Sequence, residues 1–182
     1  SLTGGKYSTD PSDYLLEGCY AEKGSDNLYS IKVGLNDSGY MEIKYVNDLQ
    51  TFAASVNNGD TDLNAILMND INLDGINWTP IASAEKPYTG TFDGNGHKID
   101  NLRISVETSA ADELGVGLFG YAGSGCVIQN LKIGSGSIFA KSTNEFSFAR
   151  AGAIVGDAKS GCKIIDCSNS ASVTAEVGRA CY

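Results

Sequence analysis

The sequence predicts an all-β fold in which short units of chain stack on one another as a solenoid. Three observations lead to this prediction. The chain repeats itself, apolar and polar residues alternate inside each copy, and glycine is abundant while proline is scarce, at 22 and 3 residues. Self-similarity at a period of tens of residues, with glycines at the corners, is typical of stacked coils.

Two offsets bring the copies into alignment. An offset of 29 places Gly94, Gly96, Ile99, Asn101, Leu102, Arg103 and Ile104 on Gly123, Gly125, Ile128, Asn130, Leu131, Lys132 and Ile133. An offset of 36 places Gly120, Ser124, Gly125, Cys126 and Ile128 on Gly156, Ser160, Gly161, Cys162 and Ile164. The repeated glycines are expected to serve the corners between coils.

Two asparagines are predicted to mark bends. The segments KIDNLRI and VIQNLKI must each bury both isoleucine and leucine, so the strand has to turn near Asn101 and Asn130. An asparagine at such a bend can stack on its copy in the next coil, which predicts a structural ladder.

Composition limits the function classes. The 182 residues suffice for one domain with or without a small appendage, and the net charge of -9 with scattered Lys and Arg argues against nucleic acid as a partner. No run of apolar residues approaches the length of a membrane span, and the polar start at Ser1 is not that of a signal peptide. We therefore expect a globular, turn-rich protein without a membrane span.

The chain is expected to divide near residue 39. Residues 1–39 predict an N-terminal hairpin or junction segment, because two aromatic-rich runs flank the turn sequence at residues 24–27. Residues 40–182 are assigned to the main β domain, which opens on the short alternating strand MEIKY.

One helix is predicted at about residues 47–58, with Asn47 as its cap and Gly59 as its stop. A single apolar stripe runs along it, formed by Leu49, Phe52, Ala53 and Val56. We expect the helix to lie across the open end of the stack and to shield the first coil, although docking on the side of the stack is an alternative.

The cysteines and the lone histidine are interpreted as packing residues. Cys126 and Cys162 are repeat-equivalent, and two neighbouring buried thiols are favoured over a disulfide. His97 falls in the same alignment column, but three positions in a line do not give the tetrahedron that zinc requires. A calcium site near Asp93 and Asn95 is a minor alternative, and we predict no metal and no cofactor.

Several segments carry a resemblance to a known family. WTPI, YTGTFDGNGHKIDNLRI, GLFG at 117–120, IQNLKI and AGAIVG at 151–156 resemble the GLUG-type repeats of large bacterial cell-surface proteins, many from gut bacteria. The resemblance covers roughly residues 40–178, and residues 10–33 are similar to the junction modules found beside such repeats. It implies a right-handed parallel β-helix with an N-terminal capping helix, belonging to an adhesin-like segment that is secreted or displayed at the cell surface.

We therefore predict a non-catalytic module that presents a solenoid surface to a glycan or an extracellular host protein. Its ligand surface is expected on exposed loops and aromatic residues, namely Tyr88, Glu107, Asp112, Tyr121 and Asn144. The alternative is a fragment of a β-helical polysaccharide lyase or glycosidase, but such an enzyme needs converging carboxylates. The columns Asp100, Gln129, Ile165 and Arg103, Lys132, Ser168 contain no acidic row, so no catalytic residue is predicted.

The last segment, VGRACY, arrives where the repeat would begin another coil. We expect the solenoid to continue in a longer native protein, or its open end to pair with another molecule, including a second copy of the chain.

Overall fold

A computed structural model of the chain describes residues 6–14, 19–110, 114–144 and 147–178. Among these residues, strands dominate and one α-helix is present, α1 (Val46–Asn58), so the all-β prediction is confirmed. The strands are β1 (Lys6–Tyr7), β2 (Cys19–Lys23), β3 (Tyr29–Val33), β4 (Met41–Ile43), β5 (Ala65–Leu67), β6 (Ile71–Asn72), β7 (Thr91–Asp93), β8 (Lys98–Asp100), β9 (Leu102–Thr108), β10 (Leu114–Val116), β11 (Phe119–Ala122), β12 (Val127–Gln129), β13 (Lys132–Ile133), β14 (Gly136–Ser142), β15 (Ala149–Ala151), β16 (Val155–Ala158), β17 (Lys163–Ile165), β18 (Ser168–Asn169) and β19 (Ser172–Val177).

The first three strands form a small antiparallel sheet in the order β1-β3-β2. Strands β2 and β3 are joined by a tight turn, in which the Gly24 N–H donates to the Leu28 carbonyl at 2.8 Å and the Asn27 N–H donates to the Gly24 carbonyl at 3.0 Å. The predicted N-terminal hairpin is therefore confirmed, whereas a domain boundary at residue 39 stays a prediction.

The remaining strands pair in parallel. They form a five-stranded sheet β17-β12-β7-β5-β4, a four-stranded sheet β18-β13-β8-β6, a three-stranded sheet β19-β14-β9, and the pairs β10-β15 and β11-β16. Paired residues lie between 24 and 36 positions apart in sequence, as in Met41 with Ala65 and Val127 with Lys163. Each larger sheet therefore takes one strand in turn from successive stretches of the chain.

The registers confirm one repeat offset and correct the other. Ile128 pairs with Ile164, as the offset of 36 predicts. The offset of 29 is wrong, because Ile128 pairs with Phe92 while Ile99 pairs with Ile133. The segment KIDNLRI runs from β8 into β9, whereas VIQNLKI runs from β12 into β13. Two similar segments therefore lie at different corners.

The bends at Asn101 and Asn130 are confirmed, since both residues have positive φ, at 58° and 52°. Their predicted stacking on each other is wrong. Asn130 donates to Asp93 Oδ1 at 3.1 Å, whereas Asn101 donates to Asn72 Oδ1 at 2.8 Å in another corner. The register makes Asp166, with φ 50°, the equivalent of Asn130 in the next copy, as the offset of 36 predicts.

Six of the seven aligned glycines have two different roles. Gly96, Gly125 and Gly161 adopt positive φ in tight corners. The others lie against neighbouring backbone. A Cβ atom would collide with the chain at Gly94, against Leu131, and at Gly156, against Val116, and would be tightly packed against the Ala82 carbonyl at Gly120.

Helix α1 covers the core beside β4. It begins at Val46 rather than after the predicted cap Asn47, because the Asp48 carboxylate accepts from the N–H groups of Lys44 and Tyr45 at 2.8 and 2.9 Å. It ends at Gly59 as predicted, with φ 129°. The predicted stripe, Leu49, Phe52, Ala53 and Val56, is buried in the core. No described helix has the combined length and apolar character that crossing a membrane requires.

A single cluster of buried apolar residues joins the parallel sheets and α1. Phe52 reaches from the helix into this core, with its ring centroid 5.4 Å from that of Phe92 and 5.8 Å from that of Tyr88. Trp78 is buried and its indole N–H donates to the Leu118 carbonyl at 3.2 Å.

The opposite end of the core, formed by β17, β18 and β19, is uncovered within the described residues. Ile164 is 48% exposed, although its register partner Ile128 is fully buried. Val173 is 38% exposed, and its partner Ile138 is 1% exposed. The two ends of the core thus differ in what covers them.

Candidate functional site

Tyr88 does not belong to a ligand surface. Its side chain is fully buried, its ring stacks on Phe119 with centroids 4.9 Å apart, and its hydroxyl donates to the Leu63 carbonyl at 2.9 Å. Burial accordingly raises the pKa of Tyr88 above its ordinary value. The expectation that Tyr88 belongs to a ligand surface is therefore wrong.

The other four predicted ligand residues lie in different settings. Tyr121 is half-buried and its hydroxyl accepts from the Gly115 N–H at 2.9 Å. Asn144 is half-buried, and its side-chain amide donates to the Ser109 carbonyl at 3.3 Å. Glu107 is exposed and pairs with Lys141, and Asp112 lies outside the described residues.

The longest strands among the described residues lie in the three-stranded sheet β9-β14-β19. Alternate residues point inward, including Ile104, Ile138 and Val173, which are aligned across the three strands. The intervening residues point outward and define what we call the β9 face. They form three rows: Arg103, Ser137, Ser172; Ser105, Phe139, Thr174; and Glu107, Lys141, Glu176.

Phe139 is unusual on this polar surface. Its ring is half-buried and is not part of the apolar core, whereas the flanking Ile138 and Ala140 are buried in it. Ser105 and Thr174 lie beside it on the neighbouring strands. The alternation in GSIFAKS could have identified Phe139 as outward-facing, but sequence reasoning missed it.

The charged row on the β9 face places Lys141 between two carboxylates. Lys141 Nζ lies 3.0 Å from Glu107 Oε1, and Glu176 is aligned with Lys141 on the other side. Exposed ion pairs of this kind contribute about 0–1 kcal/mol to stability. The row therefore offers charged groups to a ligand at little structural cost.

A groove of about 390 Å³ adjoins the β9 face. It is lined by Asn101, Arg103, Ser135, Gly136 and Ser137. Asp100 lies beside it, accepting from the Ser135 N–H at 3.0 Å and pairing with Lys98 at 2.7 Å. The hydrogen bond from Lys98 holds the pKa of Asp100 below its ordinary value, so this carboxylate is ionised at neutral pH.

A second concavity of about 450 Å³ lies where the N-terminal segment meets the parallel sheets. Its lining consists of Gly34, Leu35, Asn36, Met41, Glu42, Lys44, Tyr45 and Asp48. Glu42 and Lys44 are paired at 2.7 Å, and the Asp48 carboxylate caps α1, so both acids already have partners. Each acidic side chain that lines the concavity therefore already has a partner within the protein.

The histidine and cysteines do not form the predicted column. The register aligns Cys126 with Cys162, but His97 precedes β8 in a different sheet and its Nδ1 lies 3.1 Å from Asp70 Oδ1. In the described part of the chain, no three His, Cys, Asp or Glu side chains are placed to hold a metal ion.

The calcium alternative at Asp93 also lacks the necessary geometry. One carboxylate oxygen accepts from the Gln129 amide at 2.7 Å, and the other accepts from Asn130 at 3.1 Å and from the Asn95 N–H at 2.7 Å. Asp93 therefore links two corners, and its oxygens have partners within the protein.

Comparison with known proteins gives one partial similarity. No family model matches the sequence, and no solved structure shows a significant match. Halomucin of Haloquadratum walsbyi is 38% identical over 82 residues, which make up 43% of this chain and 1% of Halomucin. The chain is therefore similar to a small segment of a far longer protein.

Proposed function

We propose that the parallel sheets are the faces of one right-handed parallel β-helix of the GLUG-repeat kind, with α1 as its N-terminal cap. The parallel registers, the single core and the burial of α1 against it support this architecture. The segments GLFG and AIVG add support, because Phe119 pairs with Val155 across β11 and β16.

The module is proposed to be non-catalytic, adhesin-like, and displayed at the cell surface or secreted. It binds a glycan or an extracellular protein through the β9 face. The similarity to a small part of the much longer Halomucin supports a module within a larger architecture. An open face built on strands of six and seven residues suits an extended ligand better than a small molecule that needs enclosure.

Phe139 carries the proposal. An aromatic ring that lies outside the core adds little to folding, yet it supplies a large apolar contact area to a ligand. The hydroxyls of Ser105 and Thr174 and the charges of Glu107 and Lys141 surround it. Such a surface can stack on the apolar face of a sugar ring, or on a side chain of a protein, and hydrogen-bond to the polar groups around it.

Glycan arrays and arrays of extracellular proteins, probed with the 182-residue chain, test this proposal. We expect Phe139→Ser to weaken binding by tenfold or more. Val127→Ser is the matched control, because Val127 is also half-buried, outward-facing and outside the core, but lies on the five-stranded sheet.

Equal loss of binding in both variants, or no ligand on either array, would overturn the assignment to the β9 face. Release of new sugar ends from a bound polysaccharide would instead favour the alternative of a β-helical carbohydrate-active enzyme.

A further inference from the structure

Two cysteines meet at the boundary between the buried and the uncovered parts of the core. Cys126 and Cys162 immediately precede β12 and β17, whose residues Val127 and Lys163 are paired in parallel. The Lys163 N–H donates to the Cys126 carbonyl at 2.8 Å, which fixes the two backbones side by side. Neighbouring strands lie about 4.8 Å apart, within the Cα separation that a disulfide accepts.

The two side chains are also neighbours. Burial and the nearby Cys162 side chain together raise the pKa of the Cys126 thiol. Cys126 is fully buried, whereas Cys162 is half-buried and therefore open to a reagent from solvent. The pair thus combines one accessible sulfur with one protected sulfur behind it.

We propose that Cys126 and Cys162 form an inter-strand disulfide when the protein meets an external small-molecule disulfide such as oxidised glutathione. The inference is independent of the proposed ligand-binding function, because it concerns the scaffold and not the β9 face.

The reaction proceeds by two thiol–disulfide exchanges. The Cys162 thiolate attacks one sulfur of the external disulfide, forms a mixed disulfide and releases one thiol. The Cys126 thiolate then attacks the Cys162 sulfur and displaces the second thiol. One external disulfide is reduced to two thiols, and two protein thiols are oxidised to one disulfide, with their two protons released.

The second step is expected to be slow at neutral pH. Burial, together with the neighbouring Cys162, raises the pKa of the Cys126 thiol, and only the thiolate attacks. The rate of ring closure should therefore rise about tenfold for each pH unit in the range below that pKa.

Other thiols in the described residues are placed differently. Cys19 lies in the N-terminal antiparallel sheet. Cys167 occupies the register position of Leu131 and donates to the Ile165 carbonyl at 3.2 Å and to the Ile128 carbonyl at 3.6 Å.

The disulfide would tie the uncovered strand β17 to the covered strand β12. It closes a loop of about 36 residues, and such cross-links typically stabilise a protein mainly by restricting the unfolded chain. We expect the midpoint of thermal unfolding to rise by about 10 °C on oxidation.

Peptide mapping tests the pairing directly. After treatment with oxidised glutathione and alkylation of the remaining thiols, trypsin separates Cys126, Cys162 and Cys167 into peptides 104–132, 160–163 and 164–179. We expect one cross-linked species joining the first two peptides, the loss of two titratable thiols, and no dimer on a non-reducing gel.

Cys162→Ser should abolish both the cross-link and the rise in unfolding temperature, whereas Cys167→Ser should keep both. The mapping of the unmodified sequence needs no variant, so the proposal stays testable even if a substitution impairs folding. A cross-link between peptides 160–163 and 164–179, a persistent mixed disulfide at Cys162 under alkaline conditions, or intermolecular bonding only would overturn it.

Discussion

The two ends of the core contain similar side chains in different surroundings. At the β4 end, α1 covers the core, and Phe52 is buried among the rings of Tyr88, Phe92 and Phe119. At the β17-β18-β19 end, no described element lies over the last strands. Ile128 and Ile164 are direct register partners of the same residue type, yet one is fully buried and the other is 48% exposed.

This difference shows that the repeat determines the direction of a side chain but not its burial. Inward orientation follows from strand alternation, which is the same in β12 and β17. Burial additionally requires a neighbouring strand on both sides, which β12 has and the edge strand β17 lacks within the described residues. A covered end and an uncovered end should therefore respond differently to the same substitution.

The largest effect is expected at the covered end. Phe52→Ala removes a fully buried ring that contacts three other aromatic rings, so it should lower the free energy of unfolding by about 3–5 kcal/mol. Urea unfolding followed by circular dichroism measures the change. A loss below about 1 kcal/mol would show that α1 does not hold the core together.

A direct comparison of the partners Ile128 and Ile164 isolates the effect of covering. Ile128→Ala should cost about 2–5 kcal/mol, because it opens a cavity in the core. Ile164→Ala should cost about 1 kcal/mol or less, since nearly half of its side chain is already exposed. Equal costs in urea unfolding would mean that something covers β17 in solution.

A smaller effect is expected on association. The outer edge of β19 has no strand partner among the described residues, and we expect the chain to self-associate there at high concentration. Val173→Lys places a charge at an inward position of this edge and should raise the dissociation constant about tenfold, which corresponds to about 1.4 kcal/mol.

Sedimentation equilibrium measures that association. Lys132→Glu is a suitable control, because Lys132 is exposed on β13, which has strand partners on both sides. A protein that is monomeric at every accessible concentration would contradict self-association through this end.

Much of the fold could be predicted because several signals agreed. A local sequence pattern and a clear boundary residue occur together in each feature that was predicted correctly. These features are the apolar stripe of α1, its end at Gly59, the N-terminal hairpin and the offset of 36. At the offset of 36, the corner glycines and the inward-facing isoleucines repeat together, so the sequence alignment agrees with the backbone register.

The offset of 29 failed for a physical reason. Backbone register depends on hydrogen bonds between strands, whereas the alignment followed the shared letters of NLRI and NLKI. Four residues separate β7 from β8, but only two separate β12 from β13. An alignment of the shared sequence letters therefore does not align the strands that pair. The assumed column of His97, Cys126 and Cys162 was a consequence of this misalignment.

The candidate site was predicted less well than the fold. Tyr88 was wrongly placed at the surface, because an aromatic residue outside a regular strand gives no indication of which side it faces. Phe139 was overlooked, because only the pairing of β14 with its neighbouring strands shows which residues of β14 point outward. Glu107 was placed correctly at the exposed surface.

The unequal corners also have a consequence for engineering. The link from β7 to β8 and the link from β12 to β13 differ by two residues, yet β7 still pairs with β12 and β8 still pairs with β13. A change in the length of such a corner should therefore preserve the strand register, provided that Gly94, which lies against the Leu131 backbone, and Gly96, which has positive φ, are kept.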